Sequence, residues 1–184
     1  MRRILILGSL LAAAGIAHAG EPRVVSPGDT PVIEFPGHAT EILSHAHDTP
    51  AGTAVLELTL PPRTFGAPPH VHTQEDEHFY VLEGAVDFLD RGEVIRAETG
   101  SLVVLPRGHL HGFWNDTDAP ARLLLIVSPG GFTDFFDAVV AEIRRTHASD
   151  PKTVGGLIAQ AAAERGVEVR FDQVPASAAH LLPR

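Results

Sequence analysis

Four side chains within 42 residues of one another could hold a metal ion: His70, His72, Glu77 and His111. His70 and His72 flank a single valine. On a β-strand alternate residues share a face, so both imidazoles would reach one ion. Glu77 lies past a short turn and can fold back to the same point, and the fourth ligand must then come from another strand, for which His111 is the candidate. Three neutral imidazoles and one carboxylate suit a single divalent transition ion (Cu, Zn, Ni, Fe, Mn or Co), and a six-coordinate ion would keep two positions for water, substrate or dioxygen.

The elements that must place these residues can be read from residue 53 onward. Thr53–Leu60 alternates and is rich in β-formers until Pro61 and Pro62 stop it. Further strand candidates lie at Val71, His78–Leu82, Ala85–Leu89, Val94–Ala97, Leu102–Leu105, His109–Trp114 and Arg122–Ser128, with turn signals between them. Short strands at even spacing predict an all-β antiparallel sandwich or barrel. After Pro129-Gly130-Gly131 the period becomes helical: Phe132, Phe135, Phe136, Val139, Val140 and Ile143 form one apolar face. A second helix is expected from Pro151 or Lys152 to Glu164, with Gly166 as its cap, and an extended piece from Val167 to Phe171 follows.

Three acidic residues compete for the carboxylate position. Glu77 is in phase with Phe79 and Val81, which should look inward, whereas Glu75 and Asp76 read as a solvated loop. His78 falls on the opposite face, and His109 lies in a turn, where it is kept as a donor behind the ligands. His45 and His47 repeat the histidine spacing without an apolar strand to frame them and are read as a surface loop. Phe65, Phe79, Phe113 and Trp114 are candidates for an aromatic wall, with plain core packing as the alternative.

The chain of 184 residues opens with Arg2 and Arg3, an apolar run and Ala17-His18-Ala19, which reads as a secretory signal peptide over 1–19 cleaved after Ala19. Its apolar core is shorter than the roughly 20 residues needed to span a bilayer, so no stable membrane anchor is expected after cleavage. Without the two arginines, 12 basic side chains face 23 acidic ones, a formal charge of −11 that argues against nucleic acid. There is no cysteine, hence no disulfide and no thiolate ligand. The organisation expected is 20–52 as an arm with edge strands, 53–128 as the β-domain and 129–184 as a helical extension.

These features together resemble the cupin family, specifically its small quercetin-dioxygenase-like members. The first family motif is matched by His70, His72, Glu77 and Gly84, and the second by Gly100, Pro106, Gly108, His111 and Asn115 at every gap. One departure stands: Thr64 occupies the place of an expected glycine, with Gly66 two residues on. The resemblance implies a cupin-type antiparallel jelly-roll barrel with a C-terminal pair of α-helices, His70, His72, Glu77 and His111 as metal ligands, and a homodimer. It further implies a dioxygenase acting on a small enolic or phenolic, flavonol-like compound, with Glu77 as both ligand and general base. The same ligand set also serves lyases, isomerases and non-catalytic binding proteins. Export would place the protein in the periplasm or outside the cell.

Overall fold

The computed structural model describes residues 20–182; the expected signal peptide lies outside them. In chain order the strands are β1 (Val32–Phe35), β2 (His38–Ser44), β3 (Ala54–Leu60), β4 (Thr64–His72), β5 (Asp76–Glu83), β6 (Ala85–Asp90), β7 (Glu93–Glu98), β8 (Leu102–Leu105), β9 (His111–Asn115) and β10 (Ala121–Ser128). Two helices, α1 (Asp134–Thr146) and α2 (Pro151–Ala163), precede a last short strand, β11 (Val167–Val169). Among the described residues no helix is long and apolar enough to cross a membrane.

The strands form a six-stranded sheet, β1-β2-β3-β10-β5-β8, and a five-stranded sheet, β11-β4-β9-β6-β7. All pairings are antiparallel. The expected jelly-roll barrel does not form: β1 and β8 end one sheet, β11 and β7 end the other, and among the described residues no ladder closes either sheet or joins the two. The physical reason lies in the corners. Between β5 and β6 the chain passes from one sheet to the other at Gly84 (φ 77°), and between β7 and β8 at Gly100 (φ 90°). These tight corners need the left-handed backbone that glycine allows; the hydrogen bonds there, Thr99 N–H to Gly84 O (3.0 Å) and Gly100 N–H to Val81 O (2.9 Å), join the corners to each other and form no ladder between the sheets.

What holds the sheets together is the packing of their facing sides. Register aligns Leu58, Leu123 and Val81 in one row and Leu56, Leu125 and Phe79 in the next, all buried. Opposite them lie Val86, Phe88 and Phe113, with Phe79 5.4 Å from Phe88 and 5.1 Å from Phe113 by ring centroid. Gly66 sits where an added Cβ would meet Phe113 Cε2 at 2.2 Å, so the absent side chain makes room for that ring.

Two departures from the expected strands bear on the site. β4 is far longer than the piece expected around Val71, although it contains Pro68 and Pro69. Its pairing to β9 slips between Phe65 and Ala67 and again between Ala67 and His70, so the prolines sit in an irregular stretch where no ladder N–H is required. β11 then pairs with the ligand strand itself, Val167 opposite His72 and Val169 opposite His70. Thus the C-terminal extension supplies an outer strand to the five-stranded sheet. The turn left in question by Thr64 is made one residue earlier by Arg63, which adopts φ 52° and pairs with Asp116 (2.7 Å) and Asp118 (2.9 Å).

Candidate metal centre

β4 carries His70 and His72, and its neighbour β9 carries His111 directly opposite His70. Glu77 comes from β5 in the other sheet, where it shares the buried face with Phe79 and Val81. One donor atom from each of the four lies within 4.8 Å of every other, and all four residues are buried. The cluster is thus positioned to coordinate a single divalent ion, and its donors come from both sheets.

The hydrogen bonds behind the rings fix which nitrogen is free. His70 Nδ1 donates to the Pro68 carbonyl (2.8 Å) and His111 Nδ1 to the His109 carbonyl (3.0 Å). His72 Nδ1 donates to the Glu75 carboxylate at 3.0 Å. Each of these partners can only accept, so a neutral ring keeps its proton on Nδ1 and presents a bare Nε2 to the cluster. Yet His111 Nε2 lies 3.0 Å from Glu77 Oε2, and His72 Nε2 lies 3.6 Å from Glu77 Oε1. Lone pairs facing lone pairs require positive charge between them, either an extra proton or a cation. The donor set therefore fits a divalent ion.

The titration behaviour agrees. Burial pushes the Glu77 carboxyl up, but the facing His72 and His111 rings outweigh it and hold the group down at about 2. Burial lowers His111, and its bond to Glu77 more than reverses this, leaving it raised. His70 is driven down to about 3 by burial and then by the neighbouring His111 and His72 rings.

Of the other residues weighed from sequence, Glu75 proves to be buried behind His72 rather than solvated. It lay three residues past a ligand in an acidic run, but the run's polarity masked it. His109 contributes its backbone carbonyl and not its ring, and His78 stays half-buried on the other face of β5. His45 and His47 are exposed around a single 3-10 turn. Replacing the carboxylate in Glu75→Gln weakens the Nδ1 bond that orients His72. Metal affinity is expected to fall about 10- to 100-fold, to be read by competition with a chromophoric chelator; unchanged affinity would count against the role.

The loops are tied to the ligands by short contacts. Gly108 N–H donates to the His72 carbonyl (2.8 Å), and Arg107 pairs with Asp76 at the head of β5, its Nε 3.0 Å from Oδ1. A cavity of about 80 Å³ opens onto His70, His72 and Glu77. Its aromatic wall is Phe79 and Phe113 together with Phe35, Phe132, Phe135 and Phe136. Phe65 and Trp114 do not reach it. They pack against each other at 5.5 Å on the far side of the five-stranded sheet, under Ala178 and Leu181 of the tail.

His38 also lines this cavity, and sequence reasoning passed over it. Burial holds its imidazole down at about 4, against a smaller opposing pull from the Ala39 backbone. Folding thus expels a proton the unfolded chain would bind. The resulting stability is full above about pH 6.5 and declines as the pH falls toward 4, by about 3 kcal/mol at most. In chelator-treated protein, the denaturant midpoint of His38→Leu is expected to vary less over this window than that of the parent. Equal slopes would contradict it.

The Cupin domain family model matches residues 56–127. Tetracenomycin polyketide synthase protein TcmJ from Streptomyces glaucescens is 30% identical over 87 residues, 47% of this chain and 58% of that protein. The chain therefore spans less than two thirds of that relative. The polyketide cyclase RemF from Streptomyces resistomycificus superposes with a TM-score of 0.52 at 23% identity, over 59% of this chain and 80% of that one. A predicted oxalate decarboxylase from Thermotoga maritima gives 0.53 at 19% identity, over 58% and 98%. At such identities a structural likeness shows the fold alone. Residues 56–127 match the Cupin domain family and the fold is similar to these structures, around a three-histidine, one-glutamate cluster; neither likeness singles out quercetin dioxygenases.

Proposed function

We propose, from the premise that this chain carries a cupin-superfamily fold around a three-histidine, one-glutamate centre, that it is a metal-dependent lyase or isomerase acting on a small enolisable molecule. The observation that carries this reading is the cavity. At about 80 Å³ it is roughly half the ~150 Å³ of an engineered apolar cavity that admits benzene. A three-ring flavonol exceeds that space. No lysine or arginine lines it, so a phosphorylated or otherwise polyanionic substrate would lose its hydration without gaining a counter-charge.

When bound, a divalent ion supplies Lewis-acid polarisation of a carbonyl or enol oxygen. The chain's own residues do the rest. Glu77, ionised at neutral pH, takes the proton from the carbon beside that oxygen and either returns it to a neighbouring carbon, as in isomerisation, or holds it while a leaving group departs. The six phenylalanines of the wall exclude water from the exchange. A polyketide synthase protein among the relatives is in keeping with enolisable carbonyl chemistry.

The phenylalanine lining also favours a second reading, a dioxygenase for a small enolic compound. The two part under argon. Metal-loaded protein in D₂O is expected to exchange the α-hydrogen of small α-hydroxy and 1,3-dicarbonyl compounds anaerobically, with a loss of about 10²- to 10⁴-fold in Glu77→Gln. Turnover only with oxygen would favour the dioxygenase, and ligand-induced stabilisation without either would leave a binding protein.

Export is part of the proposal. A chain that acquires its ion outside the cytoplasm follows intrinsic affinity, which favours copper, then zinc or nickel. Elemental analysis of protein taken from the periplasm that found mainly iron or manganese would overturn this.

A further inference from the structure

Among the described residues, His38 is the only polar side chain lining the cavity apart from His70, His72 and Glu77. It enters from β2, in the six-stranded sheet, and is 5% exposed. Three phenylalanine rings surround it. Phe35 stacks on it at 5.1 Å and 29°, Phe136 meets it edge-on at 6.0 Å, and Phe113 lies at 6.2 Å. Nδ1 lies 2.9 Å from the hydroxyl of the fully buried Thr40. No hydrogen bond from Nε2 to another described residue accompanies this one, and the ring lines the cavity.

Core packing alone does not account for a polar ring here, since its neighbours are phenylalanines and an apolar side chain would fill the same place. We infer that His38 is the second anchor of the ligand, its Nε2 hydrogen-bonding a neutral hydroxyl or carbonyl while the other end of the same molecule sits at the metal centre. This rests on the reading above, that the ligand's reacting end binds at the four-residue cluster.

The Thr40 hydroxyl makes the anchor adaptable. A hydroxyl can accept from Nδ1–H or donate to a bare Nδ1. In the first case Nε2 accepts from a ligand hydroxyl; in the second it donates to a ligand carbonyl. No charged side chain other than Glu77 lines the cavity, so the distal group is uncharged. The ligand class is therefore a short molecule with an oxygen donor at one end, a few apolar carbons, and a hydroxyl or carbonyl at the other.

The test uses the full chain loaded with cobalt(II), whose visible bands report binding at the metal. Straight-chain monocarboxylates from acetate to pentanoate are titrated, each beside its ω-hydroxy counterpart where one exists. The hydroxyl is expected to strengthen binding by about 3- to 10-fold at one chain length and not at the others. In His38→Leu the plain carboxylates should bind as before and the hydroxyl gain should vanish; His38→Gln should keep part of it. Plain carboxylates that bind with no hydroxyl gain at any length in the parent protein would overturn the role of His38 alone. A gain that persists in His38→Leu does the same. If no carboxylate perturbs the cobalt spectrum, the reading of the cluster as the ligand site fails first, and this inference falls with it.

Discussion

Stripping the divalent ion from the loaded protein is expected to lower its thermal midpoint by about 8–16 °C. A ligand present at about 1,000 times its dissociation constant stabilises the folded state by about 4 kcal/mol, and in a domain of this size each kcal/mol moves the midpoint by about 2–4 °C. The geometry decides that the ion acts on the fold as a whole. His70, His72 and His111 stand on the five-stranded sheet and Glu77 on the six-stranded one, with no strand ladder between the sheets. A bound ion is therefore a direct link across an interface otherwise held by side-chain packing. Scanning calorimetry with and without a strong chelator measures it, and His111→Ala should erase most of the difference. A midpoint that chelation leaves in place would remove the ion from any structural role.

Asn115→Ala is expected to cost about 4 kcal/mol of stability. Asn115 is fully buried at the end of β9. Its Nδ2 donates to the carbonyls of Pro61 (3.0 Å) and Ala119 (2.8 Å), and its Oδ1 accepts from Thr117 N–H (3.0 Å) and Thr117 Oγ1 (2.7 Å). Alanine fills none of these roles and leaves a polar void between two crossover loops. Asn115→Asp keeps the acceptor but sets a carboxylate oxygen against both carbonyls, and should cost at least as much. Urea denaturation at neutral pH gives the comparison, and an alanine variant within about 1 kcal/mol of the parent would show that water replaces the amide.

The ligand cluster was legible because strand alternation is a strong constraint: once Phe79 and Val81 face inward, Glu77 must follow and His78 cannot. The two helices were legible for the same kind of reason, a clear change of period after Gly131. Alternation also contained the correction to the aromatic wall, since Phe113 and Trp114 are adjacent on β9 and must face opposite ways. Phe65 was harder, because the slipped pairing of β4 breaks the count of faces on either side of it. The openness of the sheets was not legible, since the same short strands and turns serve closed and open arrangements. β11 was legible as part of the extended piece expected over Val167–Phe171, but its pairing with the β4 edge was not. Glu75 and His38 were hidden by their polarity. Each is buried through a partner distant in structure from what its own neighbours indicate, Glu75 by an i,i+3 bond around a turn and His38 by Thr40 and phenylalanines from β1, β9 and α1.

The depth of the four ligands governs exchange as well as affinity. None of His70, His72, Glu77 or His111 is more than 8% exposed. The cavity before them shares Pro36, Pro68 and Ile158 with a groove on the outside that runs past Gly37, Pro151 and Phe171. An ion held by the four residues would leave past these shared residues, or when the sheets part. The occupant, selected by affinity as the sheets closed, would then persist long after the supply of ions had changed. Zinc-loaded protein placed in excess copper should exchange over hours at neutral pH and much faster in mild denaturant; exchange within seconds would show an open site.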